Sequence, residues 1–299
     1  MAYPKVAIII LNWNGLNDTI ECLESLKKIT YPNYEVIVVD NGSENNEGTI
    51  LQAKYGNFIE VIKNKENRGF AEGNNIGIKK ALEKGVDYIL LLNNDTVVSA
   101  DFLNILVDYA EKHKNLGSVG PKILYYNLDK IWFNGGKLWW WLGFAKHLEK
   151  LKANEKSSIR FPLGVDFITG CCILIKKEVL ERVGLLDPIY FINFEDVDWC
   201  FRAMKMGYKN VVIPQAVIWH KVSASLGKRG SQKIGKLGAY YYARNAIIFA
   251  KKNLSGFKKF VFLLNQYTFR LFFNMVLCID NEARKNYLKG LIFGPKEKR

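Results

Sequence analysis

A short apolar run ends in two amides and an acid in the stretch Tyr88-Ile89-Leu90-Leu91-Leu92-Asn93-Asn94-Asp95. A fully apolar run of this length, followed by turn-forming residues, is typical of a strand buried on both faces of a sheet. Ligands of open α/β sheets bind beyond the carboxyl ends of the strands, so Asp95 is expected to face a ligand. A carboxylate in that place can hold a divalent metal ion.

Similar runs alternate with helical patterns through the first 115 residues. Residues 18–28 and 71–84 show apolar positions at helical spacing. This alternation predicts an α/β fold whose mostly parallel sheet is covered by helices on both faces. Asn12 and Asp40 follow two other apolar runs, and we expect them at the same edge of the sheet as Asp95. The predicted strands are residues 6–11, 34–39, 58–62 and 88–92.

The pattern loosens after residue 116. A Trp-rich stretch is followed by a Lys-rich segment at residues 146–160, and then by a second group of acids, Glu195, Asp196 and Asp198. A carboxylate apart from the metal site can act as a general base. Acids at a helix N-terminus are also common because they interact favourably with the helix dipole. Here we predict strands at residues 165–175, 210–213 and 216–220, and a helix at residues 177–183.

Charge is distributed unevenly along the chain. The formal net charge is +14, but residues 226–299 carry 16 Lys and Arg against 3 Asp and Glu, and the first 225 residues are nearly neutral. We therefore predict a catalytic domain at residues 1–225, with halves at 1–115 and 116–225, and a basic helical tail at 226–299. Nucleic-acid binding is disfavoured, since the excess of basic residues lies in a segment that also contains a strongly apolar predicted helix.

Five cysteines without a paired framework fit a reducing compartment. The apolar N-terminal run lacks a cationic leader region and a small-residue cleavage site, so we interpret it as a first strand. We expect a cytoplasmic protein.

Seven motifs in one order resemble those of inverting, GT-A fold glycosyltransferases of family 2, especially the rhamnosyltransferase-like members that build lipid-linked cell-surface polysaccharides. The resemblance covers residues 5–250. The motifs are Ile8-Ile9-Ile10-Leu11-Asn12-Trp13-Asn14, Val38-Val39-Asp40-Asn41-Gly42-Ser43, Asn67-Arg68-Gly69-Phe70-Ala71-Glu72-Gly73-Asn74-Asn75-Ile76-Gly77, Leu91-Leu92-Asn93-Asn94-Asp95, Gly170-Cys171-Cys172, Glu195-Asp196-Val197-Asp198 and Tyr240-Tyr241-Tyr242-Ala243-Arg244-Asn245.

The resemblance implies a donor site for a nucleoside diphosphate sugar. Trp13 and Asp40 would hold the base, and Asp95 would bind Mg²⁺ or Mn²⁺ against the diphosphate, with His220 as a further ligand. Asn93 stands where relatives carry a first acid, which weakens direct metal binding or turns this side chain toward the ribose. The residues expected at the donor are Asn12, Trp13, Asp40, Asn67, Arg68, Gly69, Asn74, Asn93, Asn94, Asp95 and Arg244.

The same resemblance implies that Asp196 is the base that deprotonates the acceptor hydroxyl, with Glu195 beside it in the catalytic group. Crowded acids raise the pKa of one member, which suits a base. The acceptor is expected to meet Trp140, Gly170, Cys171 and Asp198. Three consecutive Trp residues at 139–141 cannot share one buried face, so at least one should be exposed.

The tail contains a segment rich in Phe and Leu, residues 257–279, whose polar residues make it unsuitable as an ordinary transmembrane helix. Lys259, Gln266, Arg270 and Asn274 fall at helical spacing and predict one helix with a single polar stripe. Such a helix could lie in a membrane interface, which would make the protein peripheral on the inner face of the cell membrane. The alternative is that the helix packs on the catalytic domain or on a second copy in a homodimer.

These observations favour a metal-dependent enzyme that moves rhamnose or another hexose from a UDP- or dTDP-sugar to a lipid-linked or polysaccharide acceptor. A sugar-1-phosphate nucleotidyltransferase is an alternative, but its Gly-rich triphosphate loop is absent from the first strand. A non-catalytic GT-A-like carbohydrate-binding protein is the other alternative.

Overall fold

Alternating strands and helices make up the first half of the chain, as its apolar runs predict. The computed structural model describes residues 3–148, 162–222, 235–278 and 280–292. The first elements are β1 (Val6–Asn12), α1 (Leu16–Leu26), β2 (Tyr34–Asp40), α2 (Glu47–Tyr55), β3 (Ile59–Lys63), α3 (Gly69–Glu83), β4 (Tyr88–Asn93), β5 (Thr96–Val98) and α4 (Phe102–Lys112).

The second half contributes shorter strands and then helices. The elements are β6 (Leu116–Tyr125), β7 (Ile131–Phe133), β8 (Gly136–Trp139), β9 (Phe144–His147), β10 (Leu163–Val165), β11 (Cys172–Lys176), α5 (Lys177–Val183), α6 (Glu195–Lys205), β12 (Lys209–His220), α7 (Lys236–Asn253), α8 (Gly256–Tyr267), α9 (Phe269–Leu277) and α10 (Asn281–Ile292).

The main sheet has the strand order β10-β12-β6-β11-β4-β1-β2-β3, with β5 beside β12 and β7 beside β6. Strands β3, β2, β1 and β4 are parallel, and so are β6 and β12. The predicted α/β fold with a mostly parallel sheet is confirmed. Its apolar strands are buried because helices cover both faces, and residues 6–10 of β1 are fully inaccessible to solvent.

Strand β11 runs antiparallel between β4 and β6, and the sequence did not predict this. We predicted one strand over residues 165–175, but residues 166–171 cross between β10 and β11 instead. The crossing brings the chain to the carboxyl edge of β4, where the Asn93 N–H donates to the Cys171 carbonyl (2.9 Å). The predicted strands 210–213 and 216–220 are one strand, β12, with an irregularity between Ile213 and Val217.

The C-terminal helices pack against the rest of the fold. Phe249 of α7 packs its ring against Phe194, Phe201 and Phe262. A smaller core joins α7, α9 and α10 around Ala243, Ile247 and Tyr287. The predicted domain boundary at 225/226 lies outside the described residues, as does most of the Lys-rich segment 146–160.

Candidate active site

The carboxyl edge of β4 carries a buried pair of possible metal ligands. Asp95 lies in the turn between β4 and β5, and the register of β5 with β12 places Thr96 opposite His220. The His220 Nε2 atom lies 3.0 Å from the Asp95 Oδ1 atom, and both side chains are buried. The Trp132 ring packs edge-on against the His220 ring at 4.3 Å between centroids. Two segments far apart in sequence therefore meet here.

The Asp95–His220 pair provides one oxygen and one nitrogen donor. His220 Nδ1 is buried and makes no hydrogen bond with the described part of the chain, so no described residue competes with an ion for this nitrogen. Within the described ranges there is no group of three or more His, Cys, Asp or Glu side chains suited to a metal ion. Mg²⁺ and Mn²⁺ commonly take one or two protein ligands and complete their shells with water and substrate phosphate oxygens. The pair fits an ion held in that way.

Asn93 and Asn94 differ in what holds them. Asn94 Nδ2 donates to the Thr19 hydroxyl (2.9 Å), which ties the turn to α1. The Asn93 backbone carbonyl accepts a hydrogen bond from the Thr96 hydroxyl (2.7 Å), and its side chain is half-buried. The side chain of Asn93 is therefore more available than that of Asn94 for the predicted contact with the sugar donor.

The residues of the predicted base pocket include a buried polar network and an exposed tryptophan that is adjacent to it in sequence. Asn12 is fully buried, and its Nδ2 donates to Glu47 Oε2 (2.9 Å) and lies 3.3 Å from Asp40 Oδ1. The Gly48 N–H donates to Asp40 Oδ2 (2.9 Å). Asn12 thus helps to orient Asp40, while Trp13 is 43% exposed.

Glu47 is a part of this network that the sequence did not reveal. Its Oε2 also accepts from the Gly15 N–H (3.0 Å), so it joins the start of α2 to the loop before α1. The residue lies in the first turn of a helix without clear amphipathic periodicity, which is why the pattern gave no signal for α2 or for this acid.

The segment around residue 69 connects the donor side to the acceptor side. Gly69 has φ +78°, and a Cβ atom there would lie 2.5 Å from the Phe191 carbonyl oxygen. The Phe70 N–H donates to that same oxygen (2.6 Å). Only glycine permits this close approach. Asn67 Oδ1 accepts from the Gly69 N–H (2.8 Å), and Asn74 Nδ2 donates to the Phe70 carbonyl (2.9 Å), so both stabilise the segment.

Arg68 is different from its neighbours because its side chain is exposed. It forms an ion pair with Glu66 at 3.2 Å, and both side chains are more than half exposed. An exposed pair of this kind is weak, so the guanidinium can change partners at small cost.

The second group of acids begins α6, where the three side chains diverge. Glu195 and Asp198 are buried, and Asp196 is half-buried. Asp196 Oδ2 accepts from the Gly170 N–H (2.9 Å), and Oδ1 accepts from the Val197 N–H (2.7 Å). Of the three acids, Asp196 has the carboxylate best placed to meet a substrate.

Desolvation raises the pKa of both neighbouring acids. Burial raises the pKa of Asp196, and the Gly170 and Val197 N–H groups oppose this effect. Burial and the charge of Asp196 raise the pKa of Glu195 well above its usual range. Glu195 Oε2 makes no hydrogen bond with the described residues. Two such acids do not ionise together readily, and both burial and the charge of its neighbour disfavour the charged form of Glu195.

Asp198 does not reach an acceptor, contrary to the prediction. Its carboxylate is fully buried and is held by Arg202 Nε (2.8 Å), Asn253 Nδ2 (2.6 Å) and Lys252 Nζ (3.2 Å). The Tyr190 hydroxyl donates to it as well (3.1 Å). These contacts occupy the carboxylate and anchor α6 to α7.

Gly170 and Cys171 lie between the two acidic groups. The Gly170 N–H donates to Asp196, and the Cys171 carbonyl accepts from the N–H of Asn93, two residues before Asp95. Burial, then the charges of Asp95 and of Asp196 among others, raise the pKa of the Cys171 thiol far above its usual value. The adjacent residues Gly170 and Cys171 therefore connect the segment that carries Asp196 with the segment that carries Asp95.

One further predicted contact, that of Arg244, differs from expectation, and the acceptor contact of Trp140 stays a prediction. Arg244 is buried, and its Nη1 donates to the Ile189 carbonyl (2.7 Å) and to Asn245 Oδ1 (2.8 Å), so this arm of the guanidinium is directed to the protein and not to a diphosphate. Trp140 is half-buried, with Lys258 Nζ of α8 at 5.4 Å from its ring. The expectation of an exposed tryptophan is met by Trp141.

Comparison with known proteins places the chain in a family. A family model described as glycosyl transferase family 2 matches residues 7–184, which is more than half of the 299 residues. The chain is 26% identical over 260 residues to the dTDP-rhamnosyl transferase RfbF of Shigella flexneri, covering 83% of this chain and 81% of that protein. It is 26% identical over 219 residues to the low-salt glycan biosynthesis hexosyltransferase Agl10 of Haloferax volcanii, covering 71% of this chain and 65% of that protein.

Solved structures share the fold at low sequence identity. The structure of GalNAc-T7 with UDP, GalNAc and Mn²⁺ matches with a TM-score of 0.67 at 16% identity, covering 99% of this chain and 56% of that one. The mannosyltransferase PcManGT of Pyrobaculum calidifontis, in complex with GDP-Man and Mn²⁺, matches with a TM-score of 0.57 at 16% identity, covering 100% of this chain and 77% of that one. The fold is GT-A, and the chain belongs to glycosyl transferase family 2.

Proposed function

We propose that this family 2 enzyme transfers rhamnose or another hexose, with inversion, from a UDP- or dTDP-sugar to a hydroxyl group of a lipid-linked or polysaccharide acceptor. One observation carries the proposal: Gly170 hydrogen-bonds the Asp196 carboxylate, and the adjacent Cys171 hydrogen-bonds Asn93, which lies two residues before Asp95. The names of the Shigella and Haloferax relatives support a sugar donor and a glycan acceptor.

Each group has a distinct part in the proposed reaction. Asp40 and Trp13 would hold the base, and Asp95 and His220 would hold Mg²⁺ or Mn²⁺, which neutralises charge on the departing diphosphate. Asp196 takes the proton of the acceptor hydroxyl while its oxygen attacks the anomeric carbon. The bond from that carbon to the diphosphate oxygen breaks on the opposite face, and the nucleoside diphosphate leaves with the electron pair. The configuration at the carbon therefore inverts.

A panel of nucleotide sugars tests the reaction. The full chain should release UDP or dTDP from one donor when acceptor is present, and release should depend on Mg²⁺ or Mn²⁺. In a parallel assay that supplies a nucleoside triphosphate and a sugar 1-phosphate, release of pyrophosphate would instead identify a sugar-1-phosphate nucleotidyltransferase. Donor binding without release from any member of the panel would point to a non-catalytic binding protein.

An exposed apolar surface on α8 and α9 supports work at a membrane. We define the aromatic face as the exposed residues that recur at helical spacing on these two helices. They are Phe257, Phe260, Leu264, Tyr267, Phe269, Phe272, Phe273 and Val276. Large apolar side chains that stay exposed at helical spacing on two successive helices indicate an interaction site.

The predicted polar stripe has the opposite orientation to the one we expected. Gln266, Arg270 and Asn274 are buried: Gln266 Nε2 binds the Gly143 carbonyl, and Arg270 Nη2 binds the Tyr242 hydroxyl (2.9 Å). The predicted single helix is also broken, and α8 and α9 are bent by 42° at Thr268. Polar side chains therefore hold these helices to the protein, and their apolar side chains face outward.

We propose that the aromatic face lies on an anionic membrane at the cytoplasmic surface. Charge complementarity selects this occupant, since residues 226–299 carry 16 Lys and Arg against 3 Asp and Glu. No single helix among the described residues is long and apolar enough to cross a membrane, while α8 and α9 together meet the length and composition criteria as a bent pair. Lying on the surface would bring the active site to a lipid-linked acceptor. A homodimer through the same face is the competing outcome.

A further inference from the structure

The loop before the acids contains two consecutive residues in a left-handed backbone conformation. Asn193 has φ +69° and Phe194 has φ +75°, and Glu195 and Asp196 follow at once. Asn tolerates this region because its short polar side chain binds locally, whereas Phe adopts it only when the surroundings impose it. Some feature of the fold must therefore hold this turn.

Asn245 of α7 makes the contacts that hold it. Its side chain is fully buried, and both Nδ2 hydrogens are used: they donate to the Ile192 carbonyl (2.8 Å) and to the Asn193 carbonyl (2.7 Å). Its Oδ1 accepts from Arg244 Nη1, which fixes the orientation of the amide. These two carbonyls lie directly before the left-handed pair and within it.

Helix α7 makes three further contacts with the segment that carries the acids. Arg244 Nη1 also binds the Ile189 carbonyl (2.7 Å) at the start of the loop. Two helical turns later, Lys252 and Asn253 bind the Asp198 carboxylate. Asp196 lies between the two sets of contacts in sequence, so α7 fixes the segment on both sides of it.

The loop is also fixed from the donor side. The Phe191 carbonyl accepts from the Phe70 N–H, and the Phe191 ring stacks on Tyr241 of α7 at 5.0 Å between centroids. Segment 189–194 thus lies between the Gly69 region and α7. Its position decides where α6 begins and where the Asp196 carboxylate points.

We propose that Asn245, supported by Arg244, is a positioning residue that aims Asp196 at the acceptor hydroxyl. The inference rests on the proposed role of Asp196 and adds that a helix beyond the family match at residues 7–184 belongs to the catalytic machinery. Small displacements of a reacting group are costly to the rate, so the contribution of Asn245 should appear in kcat.

The first experiment compares Asn245→Ala with Lys251→Ala, a control at an exposed position on the same helix. We expect Asn245→Ala to lower kcat on the order of 10²-fold with the donor KM unchanged. Hydrogen exchange should speed up at the Asp198 amide, which binds the Phe194 carbonyl (2.8 Å), and not in β1. The Asn193→Gly change should restore part of kcat in the Asn245→Ala background, because glycine adopts a positive φ without strain.

The outcomes separate the two proposals. If the wild-type chain releases no nucleotide from any donor, the proposed function fails, and unchanged exchange at Asp198 in Asn245→Ala would also overturn the role of Asn245 in holding the segment before Asp196. If the wild type turns over and Asn245→Ala matches Lys251→Ala in kcat and exchange, only the positioning role fails. Should Asn245→Ala not fold, Arg244→Gln is measured in its place; the same pattern, smaller in size, supports the role, and wild-type kcat overturns it.

Discussion

Three acids within four residues have three different environments. Glu195 is buried without a hydrogen bond to its Oε2 from the described residues, Asp196 is half-buried and bound by two N–H groups, and Asp198 is saturated by cations and amides. Consecutive side chains on a helix point in different directions, so each enters a different environment. The position of each acid in the fold, and not its residue type, thus determines its chemical environment.

Replacing the proposed base should stop transfer and spare donor binding. We expect Asp196→Asn to lower kcat by about 10²–10⁴-fold, the usual range for loss of general base catalysis. The affinity for UDP or dTDP, measured by calorimetry, should not change. Glu83→Gln, at an exposed acid, is the matched control. Retention of wild-type kcat by Asp196→Asn would exclude the assignment.

The raised pKa of Glu195 predicts how stability depends on pH. Folding favours the protonated acid, so its contribution is complete below the pKa of the unfolded chain and is lost as pH rises through the higher pKa of the folded state. Glu195→Gln resembles the protonated form and should lose less stability toward alkaline pH than the wild type. Asp196 adds a residual decline in both proteins, since its pKa is raised too.

Melting temperatures across the pH range measure this difference. The wild-type and Glu195→Gln curves should agree at acidic pH and separate at alkaline pH, with the variant more stable. Curves that stay parallel at every pH would show that Glu195 ionises normally in the folded protein.

The Asp95–His220 pair predicts metal-dependent binding of nucleotide. A ligand that binds only the folded state raises the melting temperature, and the ion should enlarge the shift caused by UDP or dTDP. We expect Asp95→Asn to abolish the additional shift produced by Mn²⁺ while a shift from nucleotide alone remains. An undiminished effect of Mn²⁺ in the variant would place the ion elsewhere.

At the scale of elements, α8 and α9 show how a polar stripe can mislead. Gln266, Arg270 and Asn274 find partners on β8–β9, α7 and α10 and are therefore stable inside the protein. A stripe on an isolated helix would face water, but a stripe whose hydrogen bonds are satisfied can be buried. The apolar residues of the same helices are left outside.

Adding charge to the aromatic face should weaken membrane binding. Phe272 is 75% exposed, and Phe272→Asp should reduce flotation with anionic vesicles by about tenfold or more, since burying a Phe side chain contributes about 1.5–3 kcal/mol. Leu128→Asp introduces the same charge at an exposed apolar residue outside α8 and α9 and serves as the control. The wild-type chain should bind anionic vesicles better than neutral ones.

Sedimentation distinguishes the competing occupant of this face. If the wild type is a dimer that Phe272→Asp dissociates, and vesicle binding is the same for both proteins, the aromatic face is a dimer interface and the membrane proposal is wrong.

At the scale of the molecule, α7 joins the C-terminal helices to the GT-A core. Phe249 is fully buried among rings from α6, α8 and the loop before α6. We expect Phe249→Ala to lower the free energy of unfolding by about 3–5 kcal/mol, through lost burial and the cavity left behind. Urea unfolding measures the change. Phe257→Ala, at an exposed ring, should change stability by less than about 0.5 kcal/mol.

A single cooperative transition is expected in that experiment, because α7 contributes to both cores. If the C-terminal helices unfold in a separate transition in the wild type, with Phe249→Ala affecting that transition alone, the tail is an independent unit.

The sequence by itself determined the α/β class, the strands β1, β2 and β4, and the family. These follow from local pattern: an apolar run of a given length and a turn at its end specify a buried strand without reference to distant residues. The positions of Asp40, Asp95 and Asp196 at strand or helix ends could be predicted in the same way.

Tertiary structure alone decided the reversal of β11, the burial of Asn12, Asp198 and Arg244, and the outward direction of the aromatic face. Each depends on partners more than 25 residues away in the chain, such as Glu47 for Asn12 and Asn253 for Asp198. A polar side chain is buried when distant groups satisfy its hydrogen bonds, and that condition exists only after the chain has folded.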